Sequence, residues 1–337
     1  MGFGAFGGSK LACTEYEMPG ILVIAETTDG AISPISFEVL GAAHKLSGEG
    51  GGSVSAFIAG SQAQANELIA HGADAAFADT NAALASHTTD TFLPGVEAAI
   101  QQSGADIVLL GQTSFGRDLG PALAFKLGTA IAVDCVELKI EGGRLHATRS
   151  AYGGNARAEV TWKGAVQVAT VKAKTFDPLA ADPGRSGTVT AIDTAGEARV
   201  KVLSTEKASS EGVKIEDAPV VVSGGRGLGD PSAFKMLEEL AHLLKGATGA
   251  SRAACDLGWY PPSQQVGLTG KTVSPGLYIA VAISGASQHM AGMSGSKNIV
   301  AINKDADANM VKVSRFAIVD DYKKVVPALI EEIKKLG

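Results

Sequence analysis

Short, unbroken apolar runs of strand length alternate along this chain with segments of helical periodicity, and that alternation leaves few architectures open. Ile21 to Ala25 precedes apolar residues at helical spacing in Ile35 to Leu46, followed by the glycine cluster Gly48, Gly50, Gly51 and Gly52. Val54 to Ile58 leads into a helix through Leu68 and Ile69, Ala75 to Ala78 into one from about Leu93 to Gln102, and Ile107 to Leu110 into one from about Asp118 to Leu127. Strands that are apolar on both faces and alternate with helices predict a parallel sheet covered on two sides. From Ile131 period-two alternation sets in, at Val136 to Ile140, Arg144 to Ser150, Glu159 to Trp162 and Val166 to Val171, which predicts antiparallel additions to the same domain.

The polar stretch from Phe176 to about Ala198 reads as an exposed connector, and a second α/β unit follows it. Pro219 to Ser223, the turn Gly224 to Gly227 and a helix from about Ser232 to Leu244 open that unit. Leu277 to Ile283, Ile299 to Ile302, Phe316 to Val319 and a last helix from Val325 to Leu336 complete it. With 337 residues, two domains is the natural division. The expected layout is an N-terminal extension over 1–20, an α/β domain with antiparallel additions over 21–205, and a doubly wound α/β domain over 206–337.

Charge and cysteine usage remove several function classes. A net charge of −6 without a basic stripe argues against nucleic acid as a partner. Cys13, Cys135 and Cys255 are too far apart for a disulfide framework, a zinc site or an iron–sulfur cluster, so no metal is expected and a reducing, cytoplasmic setting is. No apolar run approaches the roughly 20 residues that span a bilayer, and the glycine-rich leader lacks the features of a secretory signal.

The sharpest local feature is Val220-Val221-Val222-Ser223-Gly224-Gly225-Arg226-Gly227, followed by Asp230 and a helix. Ligands of open parallel sheets sit beyond the carboxyl ends of the strands, where glycines let backbone amides approach a phosphate and an Arg fork matches its oxygens. Alone, such a motif is more often a plain tight turn than a phosphate cradle. Ser251-Arg252, Gln264 to Lys271 and Ser284 to His289 add polar groups at the same expected edge. Singly, Arg252 fits a surface ion pair, Gln265 and Thr269 a turn cap, and His289 a helix terminus; together they point to a ligand. An NAD(P)-dependent oxidoreductase is disfavoured because Gly-Gly-Arg-Gly-Leu-Gly lacks the dinucleotide spacing. A stress-protein-like nucleotide module is disfavoured because Gly111 to Gly116 is interrupted by bulky residues.

The run Leu277-Tyr278-Ile279-Ala280-Val281-Ala282-Ile283-Ser284-Gly285-Ala286-Ser287-Gln288-His289-Met290-Ala291-Gly292-Met293, continuing to Ile299-Val300-Ala301-Ile302-Asn303-Lys304-Asp305, resembles the signature of electron-transfer flavoprotein α subunits. The likeness extends through Gly224 to Gly227, Gly249 to Ala253 and Gln265 to Lys271, and more loosely to Ile21 to Glu26. It implies a C-terminal domain that holds FAD through Arg226, Ser251, Arg252, Gln265, Thr269, Gly270, Ser284, Gly285, Gln288, His289, Asn303 and Asp321. A flavin that gains an electron accumulates charge around N1 and the C2 carbonyl, where donors or cations stabilise it.

By this resemblance His289 is the donor at the C2 carbonyl, Arg252 the cation near the ring and Thr269 the hydrogen-bonding group near N5. Arg226, Ser284 and Asn303 address the ribityl and diphosphate region, and Asp321 the adenosine end. The sequence departs from the family at Leu268, where many relatives have Gln, and at Arg315, expected near the adenosine side in place of an acidic residue. The resemblance further implies an electron carrier rather than a turnover enzyme on its own. It would work as a heterodimer with an electron-transfer flavoprotein β subunit, accepting electrons from a flavin dehydrogenase such as the acyl-CoA dehydrogenase of fatty acid β-oxidation. The alternative within the family is an electron-bifurcating, NADH-linked complex.

Overall fold

The computed structural model describes residues 19–50, 52–152, 156–194, 196–204 and 214–335. Cys13, nearly all of the leader, and much of the segment on either side of the expected boundary at 205/206 lie outside them. Two compact units are present. One is built from the chain up to Ala147 with Val160–Val171 and Phe176–Arg199; the other from Thr148–Glu159, Lys172–Thr175 and the chain from Val200 on.

The first unit runs through β1 (Gly20–Ala25), a small antiparallel ribbon β2 (Thr27–Thr28) and β3 (Ala31–Ile32), α1 (Pro34–Gly48), β4 (Val54–Ala59), α2 (Gln62–Ala70) and β5 (Ala75–Asp79). It continues with α3 (Thr89–Ser103), β6 (Ala105–Gly111), α4 (Ser114–Lys126), β7 (Ile131–Glu141), the first half of β8 (Arg144–Ala151), β10 (Gln167–Val171) and β11 (Thr188–Ile192), while the rest of β8 and β9 (Ala156–Val160) up to Glu159 belong to the other unit. The strands form one sheet in the order β11-β5-β4-β1-β6-β10-β7-β8-β9. β1 shows why its sequence is an unbroken apolar run. Ile21 and Val23 join the core beneath α1, with Val39, Leu40 and Ala43. Leu22 and Ile24 join the opposite core, with Val96 and Ala99 of α3 and Leu119 and Leu123 of α4.

Two expectations for this unit need correction. Val166 to Val171 is no antiparallel addition: β10 lies parallel to both β6 and β7, between them, with every residue buried. Thr170 interrupts its apolar run, but its hydroxyl is spent inside, donating to Gln112 and accepting from Asp134 N. The Phe176 to Ala198 connector contains β11, which pairs parallel with β5 at the sheet edge. Only Ile192 of that strand is buried, so its sequence carries no apolar run to betray it. Arg185 ties the approach down, meeting Asp74 at 2.6 Å and donating to the carbonyls of Gly72 and Ala73. The β7–β8 hairpin turns through Gly142 and Gly143, both at positive φ as a two-residue loop of this kind demands.

Glu26 leaves the carboxyl end of β1 beside the end of β6, and both its oxygens lie 2.8 Å from the Thr113 hydroxyl. Burial pushes its carboxyl up to about 7, with Thr113 opposing. A folded-state value above the ordinary 4.5 means the stabilisation is complete below that pH and is lost as pH rises toward about 7. Glu26→Gln is expected to flatten this dependence, changing the difference from wild type by about 2–3 kcal/mol between pH 4.5 and pH 8. Denaturant unfolding at the two pH values measures it, and parallel curves for the two proteins would refute it.

The second unit contains β12 (Val220–Gly224), α5 (Phe234–Leu243), β13 (Ala247–Ser251), α6 (Arg252–Asp256), β14 (Gln265–Val266) and β15 (Leu277–Val281), then α7 (Ser287–Ala291), β16 (Asn298–Asn303), α8 (Asn309–Val313), β17 (Phe316–Val319) and α9 (Tyr322–Lys335). Its sheet, ordered β14-β13-β12-β15-β16-β17, is parallel throughout. Val222, Ile279 and Val281 pack on one face with Leu237 and Leu240 of α5 and Val326 and Ile330 of α9. Val221, Tyr278 and Ala280 face the other way, with Met293 and Met310. Both domains are therefore α/β, the second doubly wound. Among the described residues no helix is long and apolar enough to cross a membrane.

Candidate functional site

The strand order of the second unit reverses between β12 and β15: the chain leaves β12 toward β13 on one side and returns with β15 on the other. Such a switch point opens a crevice at the carboxyl ends of the strands. A cavity of about 630 Å³ lies there, within the range of ligand pockets.

Its floor depends on one close crossing. A Cβ on Gly225 would stand 2.2 Å from the Ala282 carbonyl oxygen and 2.9 Å from Ile283 Cα, so only glycine lets the loops after β12 and β15 cross. Gly225 N donates to the Val281 carbonyl at 2.9 Å. Ala282 itself sits at φ +55°, a conformation that costs a residue with a Cβ about 1–2 kcal/mol. Backbone strain of this kind gathers at working sites.

Around this crossing the walls assemble from the ends of five strands. Arg226 follows β12, exposed at the rim. Ser251 ends β13 and Arg252 follows it, with Arg252 Nε 3.4 Å from Asp256 in a solvent-exposed pair. Gln265 of β14 donates through Nε2 to the Thr269 hydroxyl at 3.0 Å, which leaves the hydroxyl proton free. Ser284, Gln288 and His289 follow β15. Asn303, at the end of β16, braces the Ile283 carbonyl with Nδ2 and accepts from Asp305 N, so its amide is committed to holding the β15 loop.

Three nominated residues do not line the cavity. A Cβ on Gly270 would meet the Gln265 carbonyl oxygen at 2.3 Å, and one on Gly285 the Met310 nitrogen at 2.3 Å; these glycines permit turns. Asp321 lies at the start of α9, paired with Lys304 at 3.0 Å, and the Lys323 amide, seconded by Lys304, holds its carboxyl below the usual range. Arg315 also stands elsewhere. Its guanidinium donates to Asn298 at the amino-terminal end of β16, the edge opposite the cavity. Leu268, where relatives were expected to supply an amide side chain, is largely exposed at the rim, and its backbone N–H donates to the Gln288 carbonyl.

His289 is buried. Its Nε2 is 2.9 Å from the hydroxyl of fully buried Tyr278, and its Nδ1 has no hydrogen-bond partner. Burial pulls the imidazole down to about 4, the Val266 backbone opposing. The ring is therefore neutral at pH 7. Tyr278 and Asp256 were not foreseen as parts of the site. Tyr278 hides in an apolar strand, where its only signal is falling on the face opposite Ile279.

Two guanidinium groups, a free hydroxyl proton and a buried, unsatisfied imidazole nitrogen suit a long anionic ligand with a planar polar head, which is what FAD is. Residues 21–197 match the family model described as electron transfer flavoprotein domain, and residues 214–294 that of the electron transfer flavoprotein FAD-binding domain. The electron transfer flavoprotein subunit alpha of Thermoanaerobacterium thermosaccharolyticum is 41% identical over 323 residues, covering 94% of this chain and 98% of that one. The subunit alpha of Megasphaera elsdenii is 42% identical over 329 residues, covering 95% and 97%. That of Bacillus subtilis is 38% identical over 320 residues, covering 94% and 98%. Matched in both halves and nearly end to end, the chain belongs to the electron transfer flavoprotein α-subunit family and carries its FAD-binding domain.

Proposed function

We propose that this chain is the FAD-holding half of a cytoplasmic two-subunit electron carrier. It pairs with an electron-transfer flavoprotein β subunit, takes electrons from a flavin dehydrogenase such as an acyl-CoA dehydrogenase of fatty acid β-oxidation, and hands them to a further acceptor. The observation that carries this reading is the convergence of Arg226, Arg252, Thr269, Ser284 and His289 on one switch-point cavity.

Bound FAD supplies the ring that gains and loses electrons; the chain supplies binding, orientation and charge. Arg226 and Ser284 serve the diphosphate and ribityl region, with Asn303 holding the Ser284 loop through the Ile283 carbonyl. Arg252 places a cation near the ring, and Asp256 limits its reach. Thr269, its oxygen already accepting from Gln265, has its proton free for N5. His289 gives a neutral donor toward the C2 carbonyl.

Arg226→Ala is expected to weaken FAD retention roughly 10- to 100-fold, the scale of one charge-assisted hydrogen bond. Flavin content after gel filtration measures it, and wild-type content would remove Arg226 from the phosphate side. The donor assignment is tested by mixing the FAD-loaded heterodimer anaerobically with an acyl-CoA dehydrogenase and its substrate. Loss of flavin colour only when both are present supports the carrier. Direct bleaching by NADH, with two FAD per heterodimer, identifies the electron-bifurcating alternative.

A further inference from the structure

We infer that Tyr278 is a positioning residue for His289: its buried hydroxyl donates to Nε2 and fixes the imidazole as the neutral tautomer with its proton on Nδ1, so that Nδ1–H is the only donor the ring can offer. The inference deepens the FAD reading and rests on it for the identity of the acceptor, but the geometry behind it belongs to the chain alone.

The oxygen–nitrogen separation is 2.9 Å; Tyr278 belongs to the core face that carries Met293 and Met310, and His289 is buried beside it. A hydrogen bond between a phenol and an imidazole nitrogen has two possible directions. Three observations choose between them. Complete burial raises the Tyr278 phenol far above its ordinary range, so its proton is retained and must find an acceptor. Ser223, the other polar group beside the phenol, makes no hydrogen bond that takes this proton, which leaves His289 Nε2 as its acceptor among the described residues. His289 Nδ1 has no hydrogen-bond partner, so with Nε2 accepting from the phenol it is the nitrogen left to carry the ring proton. The phenol proton lies toward His289 Nε2 and the ring proton on Nδ1.

The charged groups lining the same cavity are Arg226 after β12, Arg252 and Asp256 on α6, and Asp305 after β16. None of them contacts the imidazole through a hydrogen bond or ion pair. The consequence is a division of labour. A buried Nε2 that accepts from Tyr278 disfavours the imidazolium, so negative charge on a reduced ring is met by a neutral dipole from His289 and by a cation from Arg252 alone.

The test uses the full-length chain with its partner subunit, labelled with ring-15N histidine, the His289 signals being assigned by their absence from His289→Gln. Spectra are taken with FAD removed and with FAD restored. The expected wild-type pattern, already present without FAD, is a protonated Nδ1 and an unprotonated Nε2 that persist from pH 8 to pH 5. In Tyr278→Phe the Nε2 partner is gone, and the acid constant of the imidazole should weaken by roughly tenfold or more; Ser223→Ala should keep the wild-type tautomer. A proton on Nε2 in the wild type, an imidazolium at pH 7, or a Tyr278→Phe protein that titrates like wild type would overturn the inference. Should Tyr278→Phe fail to fold, the wild-type pattern alone decides. Whether FAD rebinds is read separately by absorbance, so failure of the FAD reading and failure of the Tyr278 assignment are told apart.

Discussion

Gly285→Ala should destabilise the C-terminal unit by about 2–5 kcal/mol and strip it of FAD, although Gly285 does not line the cavity. Gly285 sits at φ +81°, where a side chain costs about 1–2 kcal/mol. Its new Cβ would also stand 2.3 Å from Met310 N and 2.8 Å from Met310 Cα. Both are backbone atoms of α8, which cannot rotate away, so overpacking adds about 1–3 kcal/mol. The hydrogen bond between Met310 N and the Ser284 carbonyl, 3.2 Å long, is the contact that must stretch. Because Ser284 lines the cavity, relief of the clash displaces a cavity wall. Urea unfolding and flavin content of the purified complex measure the two effects, and a variant with wild-type midpoint and flavin content would show that the loop gives way at no cost.

His289→Ala has the next largest expected effect, and it acts on stability and on the flavin by separate routes. Truncating a buried ring leaves a cavity and strands the hydroxyl of Tyr278, which is fully buried; together these cost about 2–4 kcal/mol at neutral pH. The cost depends on pH with a definite sign. The folded imidazole is held near 4, below its ordinary 6.5, so the wild type keeps its full stability above 6.5 and loses it as pH falls toward 4. Alanine has no such loss, so the gap between the two proteins should narrow on acidification. Reduction of the flavin should become less favourable by on the order of 1 to 3 kcal/mol, the value of one hydrogen bond to a developing charge. Unfolding at pH 7.5 and pH 5 and a stepwise reductive titration measure these effects. A constant gap and an unchanged potential would remove His289 from both roles.

What could be read in the sequence followed burial. β1, β12 and β15 were legible because each is packed on both faces, which forces continuous apolar runs. β11 was not, since one face meets solvent and one edge has no partner among the described residues, leaving only Ile192 buried. β13 escaped because Ala247 to Ser251 is made of small residues, and the space explains it. A Cβ on Gly249 would approach Ile215 to 2.8 Å and Val266 to 3.0 Å, so bulk that would mark a strand is excluded there. At the site, residue types were legible and their couplings were not. Nothing in the spacing of Tyr278 and His289, eleven residues apart, says that a strand and a helix bring them to 2.9 Å. Nor does it separate residues that line the cavity, such as Thr269, from those that shape its backbone, such as Gly270 and Gly285.

Flavin bound per heterodimer after gel filtration, with FAD supplied in excess, bears most directly on the account. One FAD for each copy of this chain, with absorbance bands near roughly 380 and 450 nm, is the predicted result, falling sharply in Arg226→Ala. A colourless heterodimer that takes up no FAD would contradict it.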